Sequence, residues 1–271
     1  MKIRFYVNSG KSAALAAHEP LAAEARAAGL EVAAPDGAAD LLVALGGDGT
    51  ILRAVHEFPS MPVAGFNLGG LGYLSSVGRN EIPRAFAMLA AGRFAVHPRA
   101  MLEVAPRGGA AAAIALNEIA VMHGSGGHAA VLDVECDGRA VTRYLADGVV
   151  VATPTGSTAY SLAAGGPVLM PDAAVSVLTP LNPHALGTRP VVVRDTVHFT
   201  ITARARGEGG KTPVGVYADG EHAFALMPDE AAEIRRSHHT AQLVELEGYD
   251  PYETLSRKLG WRGSSVKGSL P

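Results

Sequence analysis

Leu41-Leu-Val-Ala-Leu-Gly-Gly-Asp-Gly-Thr50 decides the fold of this chain. Its first five residues are apolar without alternation, which predicts a strand buried on both faces in a parallel sheet covered by helices. The run stops at Gly46-Gly47-Asp48-Gly49. Glycines at the end of a buried strand let the backbone approach a ligand, because no Cβ intervenes. The carboxyl ends of strands are also where open α/β sheets bind ligands. A helix expected over Thr50–Phe58 turns its amide N–H groups and dipole toward the same crevice.

Working outward, Ile3–Val7 is an expected strand, and Ala13–Ala28 an Ala-rich helix stopped by Gly29 and open to splitting at Pro20. Pro62–Phe66 is a third buried strand, followed by Asn67-Leu-Gly-Gly-Leu-Gly-Tyr73. Asn80 is expected to cap a helix over Pro83–Ala91 that ends at Gly92. Alternation of strand and helix argues a parallel sheet with helices on its faces.

The pattern changes near Phe94–Arg99. From there to about Leu246 short β-branched or alternating segments predominate: Met101–Ala105, Ala113–Val121, Ala129–Cys136, Ala140–Tyr144, Val149–Ala152, Val191–Val193, Val197–Ala203, Val214–Ala218 and Phe224–Leu226. Asp137-Gly138 and Asp219-Gly220 are expected hairpin turns. An all-β sandwich or layered sheet is the architecture such a run predicts. Gly207–Gly210 is an expected loop. Helical spacing returns at Tyr252, Leu255 and Leu259, and the tail Arg262–Pro271 is expected to fray.

Composition bounds the function. The 271 residues are 48% hydrophobic and 18% charged, enough for a sizeable core. A net charge of −3 leaves no basic footprint for nucleic acid or an anionic membrane. The single Cys136, in an alternating run, excludes an intrachain disulfide and a cysteine metal site. The ten histidines show no metal-ligand spacing. The start is strand-like rather than a signal peptide, and no apolar run approaches the ~20 residues of a membrane span. A cytoplasmic protein is expected.

Three constellations carry chemistry. The first is Asp48. A carboxylate beside phosphates is repulsive unless it holds Mg²⁺ or accepts a proton from an attacking hydroxyl, and phosphoryl transfer needs both services. The alternative is a tight turn in which Asp48 caps the next helix. The second is Asn117-Glu118, two polar groups in an apolar strand, which hints at a strand end or bulge; each pairs within the protein or waits for a ligand. The third is Asp147-Gly-Val-Val-Val-Ala-Thr-Pro-Thr-Gly-Ser-Thr-Ala-Tyr-Ser-Leu-Ala-Ala-Gly-Gly-Pro167. It runs from a buried strand through a Pro/Gly turn into a short helix capped by Ser157 or Thr158, with Tyr160 as a stacking face. An ordinary strand–turn–helix explains its Gly and Pro but not its density of hydroxyls, which suits a backbone wrapped around a polar ligand.

The first and third motifs together resemble the NAD kinase family; phosphofructokinases and diacylglycerol-type lipid kinases share only the Gly-Gly-Asp-Gly loop. The resemblance covers Leu41 to Trp261, with support from Asn67–Leu74, Thr179-Pro-Leu-Asn-Pro-His184, Arg189-Pro190, Ala218-Asp-Gly220 and Lys258-Leu-Gly-Trp261. It implies a Rossmann-like α/β domain over residues 1–97 and a β-rich, sandwich-like NAD-binding domain over 98–247. Residues 248–271 would form a helix returning to the first domain, plus the tail. It implies transfer of the γ-phosphoryl of ATP, or of polyphosphate, to the 2′-hydroxyl of the adenosine ribose of NAD, with Mg²⁺ or another divalent ion. It also implies a homodimer or homotetramer.

Residue by residue, the resemblance makes Asp48 the proton acceptor, with metal ligation open to it. Gly46, Gly47, Gly49 and Thr50 form the phosphate loop, and Arg53 meets phosphates. Asp48, Gly49, Asn117, Glu118, His128, Asp147, Thr158, Ala159, Tyr160, Ser161, Leu162, Ala163 and Glu221 line the NAD site. Three departures stand out: Met122 and Leu145 where relatives carry a cation, and Glu221 where Gln is common. The competing functions are a lipid or sugar kinase sharing the loop, and a non-catalytic dinucleotide sensor.

Overall fold

The computed structural model describes residues 1–8, 10, 12–69, 72–75, 77–123, 129–205 and 212–261. His128, the Gly207–Gly210 loop and the tail from Arg262 lie outside the described residues. The chain forms two compact units, one of Met1–Pro98 with the segment from Gln242 onward, the other of Arg99–Ala241.

The first unit is built from β1 (Lys2–Val7), α1 (Ser12–Ala27), β2 (Glu31–Val32), β3 (Leu41–Leu45), α2 (Asp48–Glu57), β4 (Pro62–Asn67), β5 (Val77–Gly78) and α3 (Ile82–Ala90). Its strands lie parallel in the order β2-β1-β3-β4-β5. β3 is buried at every position, as its unbroken apolar run demands. Ile3, Phe5, Val43, Leu45, Phe66, Ile82 and Phe86 share one core.

Two local expectations are corrected. α1 runs through Pro20 without a break. Pro20 and Ala16 are both exposed, so the carbonyl that loses its N–H partner faces water, and Leu21, Ala22 and Ala25 hold the buried face. Asn80 is not a helix cap. It sits in a 3₁₀ turn, Arg79–Glu81, before α3. There the Glu81 carboxylate folds back to accept the Gly78 N–H at 2.8 Å.

The chain continues as β6 (Phe94–Pro106), β7 (Ala113–Ala115), β8 (Glu118–His123), β9 (Ala130–Cys136), β10 (Arg139–Ala146) and β11 (Gly148–Ala152). A 3₁₀ turn, Thr155–Thr158, and α4 (Tyr160–Ala163) come next. Then follow β12 (Val175–Leu181), β13 (Val191–Arg194), β14 (Phe199–Arg204), β15 (Val214–Ala218), β16 (Glu221–Leu226) and β17 (Ala231–Leu246). In the second unit one antiparallel sheet has the order β13-β12-β11-β8-β15-β16, and the other runs β10-β9-β14-β17 with β6 and β7 alongside. Leu132, Val134, Phe199 and Ile201 from one sheet and Ile119, Val121, Val149, Val151 and Val216 from the other fill a common core, as a sandwich requires. Both Asp-Gly hairpins are present. Asp137, Gly138, Asp219 and Gly220 all have positive φ, at 50°, 73°, 47° and 85°, which the tightest hairpin turn needs.

β12 and β17 escaped the sequence reading. β17 spans 16 residues and mixes charge and histidine into its alternation, with many positions exposed. Its far end, Gln242-Leu243, pairs parallel with β4 inside the first unit. The expected single strand Ala113–Val121 is two strands broken at Leu116-Asn117. Helix α5 (Pro251–Leu259) also belongs to the first unit. Asp250 caps it by accepting the Tyr252 and Glu253 N–H groups, and Gly260 ends it in the left-handed region. Leu255 is buried, but Tyr252 is 67% exposed, so the apolar stripe is narrower than its spacing implied. Among the described residues no helix is long and apolar enough to cross a membrane.

Candidate active site

In the first unit the site grows from the end of β3. α2 begins at Asp48 rather than Thr50, with Gly47 as its N-cap and no side-chain capping bond. Asp48 therefore does not cap its helix. Its carboxylate crosses to the loop after β4, where Oδ2 accepts the Tyr73 N–H at 2.8 Å and Oδ1 the Leu74 N–H at 3.1 Å. That loop is tied to itself through Ser75, whose hydroxyl accepts the Gly72 N–H at 2.7 Å and an Asn67 amide N–H at 3.1 Å. The loop passes so close that a Cβ on Gly72 would lie 1.8 Å from Asp48 Oδ1. Burial, then the charge of Asp48, pushes the Tyr73 phenol up from its ordinary value, and the Lys258 ammonium of α5 lies 5.7 Å from the Tyr73 ring. Gly49 is exposed at the helix N-terminus. Thr50 is fully buried, with a hydroxyl that has no hydrogen-bond partner. Arg53 is exposed one turn on.

In the second unit the centre is the break between β7 and β8. The Asp219 carboxylate accepts the N–H groups of Leu116 at 2.7 Å, Asn117 at 2.8 Å and Glu118 at 3.1 Å. Thr153 Oγ1 donates to the Leu116 carbonyl at 2.6 Å, and Thr153 N–H to that of Asn117 at 2.9 Å. Gly156 lies flat on this break; a Cβ there would sit 2.0 Å from the Asn117 carbonyl oxygen. Asn117 and Glu118 are each only 8% exposed. Glu118 receives the Tyr160 backbone N–H, yet its Oε2 is buried without a partner. Burial, and secondarily the charge of Asp219, pushes the Glu118 carboxyl up to about 7.

The hydroxyls of the long motif have a different role from the one their density suggested. Ser157 Oγ donates to the Pro154 carbonyl at 2.6 Å and accepts the Leu169 N–H at 2.9 Å. Thr158 Oγ1 donates to the Thr155 carbonyl, and Ser161 Oγ pairs with Thr179 Oγ1 at 2.8 Å in the interior. Neither Ser157 nor Thr158 caps α4, whose N-cap is Ala159. These groups hold the turn. What the turn presents outward is Tyr160 and Ala163, both exposed, with Thr158, Ala159 and Leu162 half-buried. Asp147 accepts the Asn182 amide N–H at 2.8 Å, with His123 Nε2 3.8 Å away. Met122 packs on the cluster of Ala120, Val150 and Leu181, while Leu145 and Glu221 are exposed.

The structure thus gathers Gly46, Gly47, Asp48, Gly49 and Thr50 at one helix start, and Asn117, Glu118 and Tyr160 around one strand break. Sequence reasoning missed Ser75, Thr153 and Asp219 as the residues that hold these groups. Asp219 had a signal as a turn residue and Thr153 as a hydroxyl of the long motif; Ser75 had none. Among the described residues no group of three or more His, Cys, Asp or Glu could hold a metal ion.

Comparison with known proteins gives the family of the chain. Residues 8–94 match the family model of the ATP-NAD kinase N-terminal domain, and residues 116–246 that of the ATP-NAD kinase C-terminal domain. The NAD kinase of Symbiobacterium thermophilum is 41% identical over 239 residues, covering 84% of this chain and 83% of its own. That of Protochlamydia amoebophila is 38% identical over 227 residues, covering 82% and 78%. Yeast NADH kinase, solved in complex with NADH, superposes with a TM-score of 0.87 at 24% identity over 99% of this chain and 90% of that one. An NAD kinase from Archaeoglobus fulgidus, solved in complex with ATP, gives 0.77 at 26% identity over 97% and 100%.

Proposed function

The chain belongs to the NAD kinase family and transfers phosphate from ATP to NAD, and we propose that Asp48 takes the proton of the acceptor, the 2′-hydroxyl of the adenosine ribose. The observation that carries this is the clamp on the carboxylate. Two backbone N–H groups fix one oxygen each, and each oxygen keeps capacity to accept a further bond from a hydroxyl. A base held by backbone does not spend entropy to reach its pose, which is what positioned proton transfer requires.

Placement supports the remaining roles in this reading. Asn117, Glu118 and Tyr160 hold the dinucleotide, with Thr158, Ala159, Ser161, Leu162 and Ala163 shaping the turn around them. The orphan Oε2 of Glu118 is an acceptor suited to a ligand hydroxyl or amine. Gly46, Gly47, Gly49 and Thr50 offer phosphates the N-terminus of α2, with Arg53 one turn further. A divalent cation such as Mg²⁺ would be held chiefly by the phosphates of ATP, with Asp48 as the carboxylate available to it; bound there, it offsets phosphate charge. Polyphosphate is a second candidate donor. Self-association as a homodimer or homotetramer belongs to the same reading, supported by exposed Val191 and Val192 on edge strand β13 and Leu186 in the connection before it.

The test is NADP formation from NAD, Mg²⁺ and ATP by the purified protein and by Asp48→Asn, with polyphosphate as a parallel donor. Loss of a positioned base should lower kcat by about 10²–10⁴-fold while leaving the KM for NAD nearly unchanged. A variant that keeps half the wild-type rate or more would remove Asp48 from the proton-accepting role.

A further inference from the structure

We infer that Asp219 is a positioning residue for the dinucleotide: its carboxylate holds the break between β7 and β8 in the shape that presents Asn117 and Glu118. The inference rests on the reading that Asn117 and Glu118 bind NAD.

A broken strand leaves ladder groups unpaired, and buried ones must be satisfied elsewhere. Here every backbone polar group of the break has a partner. The N–H groups of Leu116, Asn117 and Glu118 all go to the Asp219 carboxylate. The Leu116 carbonyl takes the Thr153 hydroxyl, that of Asn117 the Thr153 N–H, and that of Glu118 the Asp219 N–H. Asp219 thus meets four of the six groups. Three successive amides on one carboxylate make charge-assisted bonds, stronger than the neutral ladder bonds they replace. The β15–β16 hairpin delivers the carboxylate, and Asp219 itself occupies the left-handed turn position, φ 47°.

The same charge reaches Glu118. Of the elements packed on Glu118, the β15–β16 turn brings Asp219, α4 brings the Tyr160 N–H, and the paired residue Ala152 of β11 brings no charge. Removing the charge at position 219 therefore moves the Glu118 carboxyl back toward its ordinary range. Glu118 is thus tied to Asp219 twice, through the N–H it donates to that carboxylate and through charge.

Asp219→Asn separates these roles, because Asn tolerates the left-handed turn as well as Asp does. It removes the charge and places an –NH₂ against converging N–H donors. The experiment is steady-state kinetics of wild type, D219N, N117A and E118Q, with kcat/KM for NAD followed across the neutral pH range. For D219N a rise of about tenfold in the KM for NAD is expected, the size of losing a charged acceptor, with kcat changed far less. The pH midpoint attributed to Glu118 should move to lower pH in D219N and vanish in E118Q. D219N with wild-type KM and midpoint, beside N117A and E118Q that bind NAD weakly, would overturn the inference and leave the binding reading intact. N117A and E118Q both indistinguishable from wild type toward NAD would remove the binding reading, and the inference with it. If D219N does not accumulate folded, D219E carries the test. It keeps the charge on a longer arm, so a raised KM with an unmoved midpoint supports the inference, and a wild-type KM overturns it.

Discussion

Glu118 shows what one residue costs the fold and supplies to the site. Burial, and then the charge of Asp219, pushes its carboxyl in the folded protein up to about 7 from an ordinary 4.5. The folded state therefore binds more protons than the unfolded one between those values, and stability falls as pH rises through that window. The stability is complete below the ordinary value and lost once pH passes about 7. Glu118→Gln cannot ionise, so it should unfold later than wild type above neutral pH, by roughly 3 kcal/mol at most for a shift of this size. The advantage should shrink as pH falls toward the ordinary carboxylate range. Urea melts on either side of the window measure it, and an identical pH dependence in both proteins would contradict the assignment. Asp48 is the opposite case. Its importance is legible in the sequence, since a carboxylate among loop glycines has few other uses. That its clamp is the backbone of Tyr73 and Leu74, 25 and 26 residues away, is not.

At the scale of elements, the turn from β11 into α4 is held by its own hydroxyls and pressed onto the break after β7. Gly156 makes that contact possible. Gly156→Ala would put a Cβ 2.0 Å from the Asn117 carbonyl oxygen, against backbone atoms, with no flexible side chain to yield. A loss of about 2–4 kcal/mol in stability is expected from forced overpacking of this kind, together with weaker NAD binding as the break shifts. Thermal melts and NAD titration check both, and an unchanged melting temperature would mean that the turn can lift away at little cost. Hydroxyl density in the sequence was a sound pointer to a special turn and a misleading one about what the hydroxyls bond. Side chains of Ser and Thr satisfy nearby backbone as readily as a ligand, and composition does not distinguish the two.

Over the whole molecule, the two units differ in how the chain composes them. The second is one continuous stretch, Arg99–Ala241, with its own two-sheet core. The first needs Gln242 onward: Val244 belongs to its core, Leu246 packs against it, and Gln242-Leu243 flank β4. A fragment of residues 99–241 should therefore fold cooperatively alone, while residues 1–98 should not without the returning segment, since an exposed parallel strand edge and an opened core leave too little burial to offset chain entropy. Circular dichroism melts of the two fragments test this; a stable 1–98 fragment with an unfolded 99–241 fragment would reverse it.

Leu41–Leu45 and the glycines after it determined the parallel first sheet, because an apolar run without alternation is stable only when both faces are covered. The Asp-Gly pairs determined hairpins, because both central residues must take positive φ. Asp48, Asn117-Glu118 and the long hydroxyl motif marked a candidate site, because polar groups in such settings need partners. Only the tertiary structure decided who those partners are. Thr153 and Asp219 hold the break after β7 through contacts between distant segments, which no local pattern encodes, while Ser75 ties its own loop. The long strand β17 was equally hidden, since its exposed charges obscure alternation and its pairing with β4 is settled by what the sheet edge needs, not by its own residues.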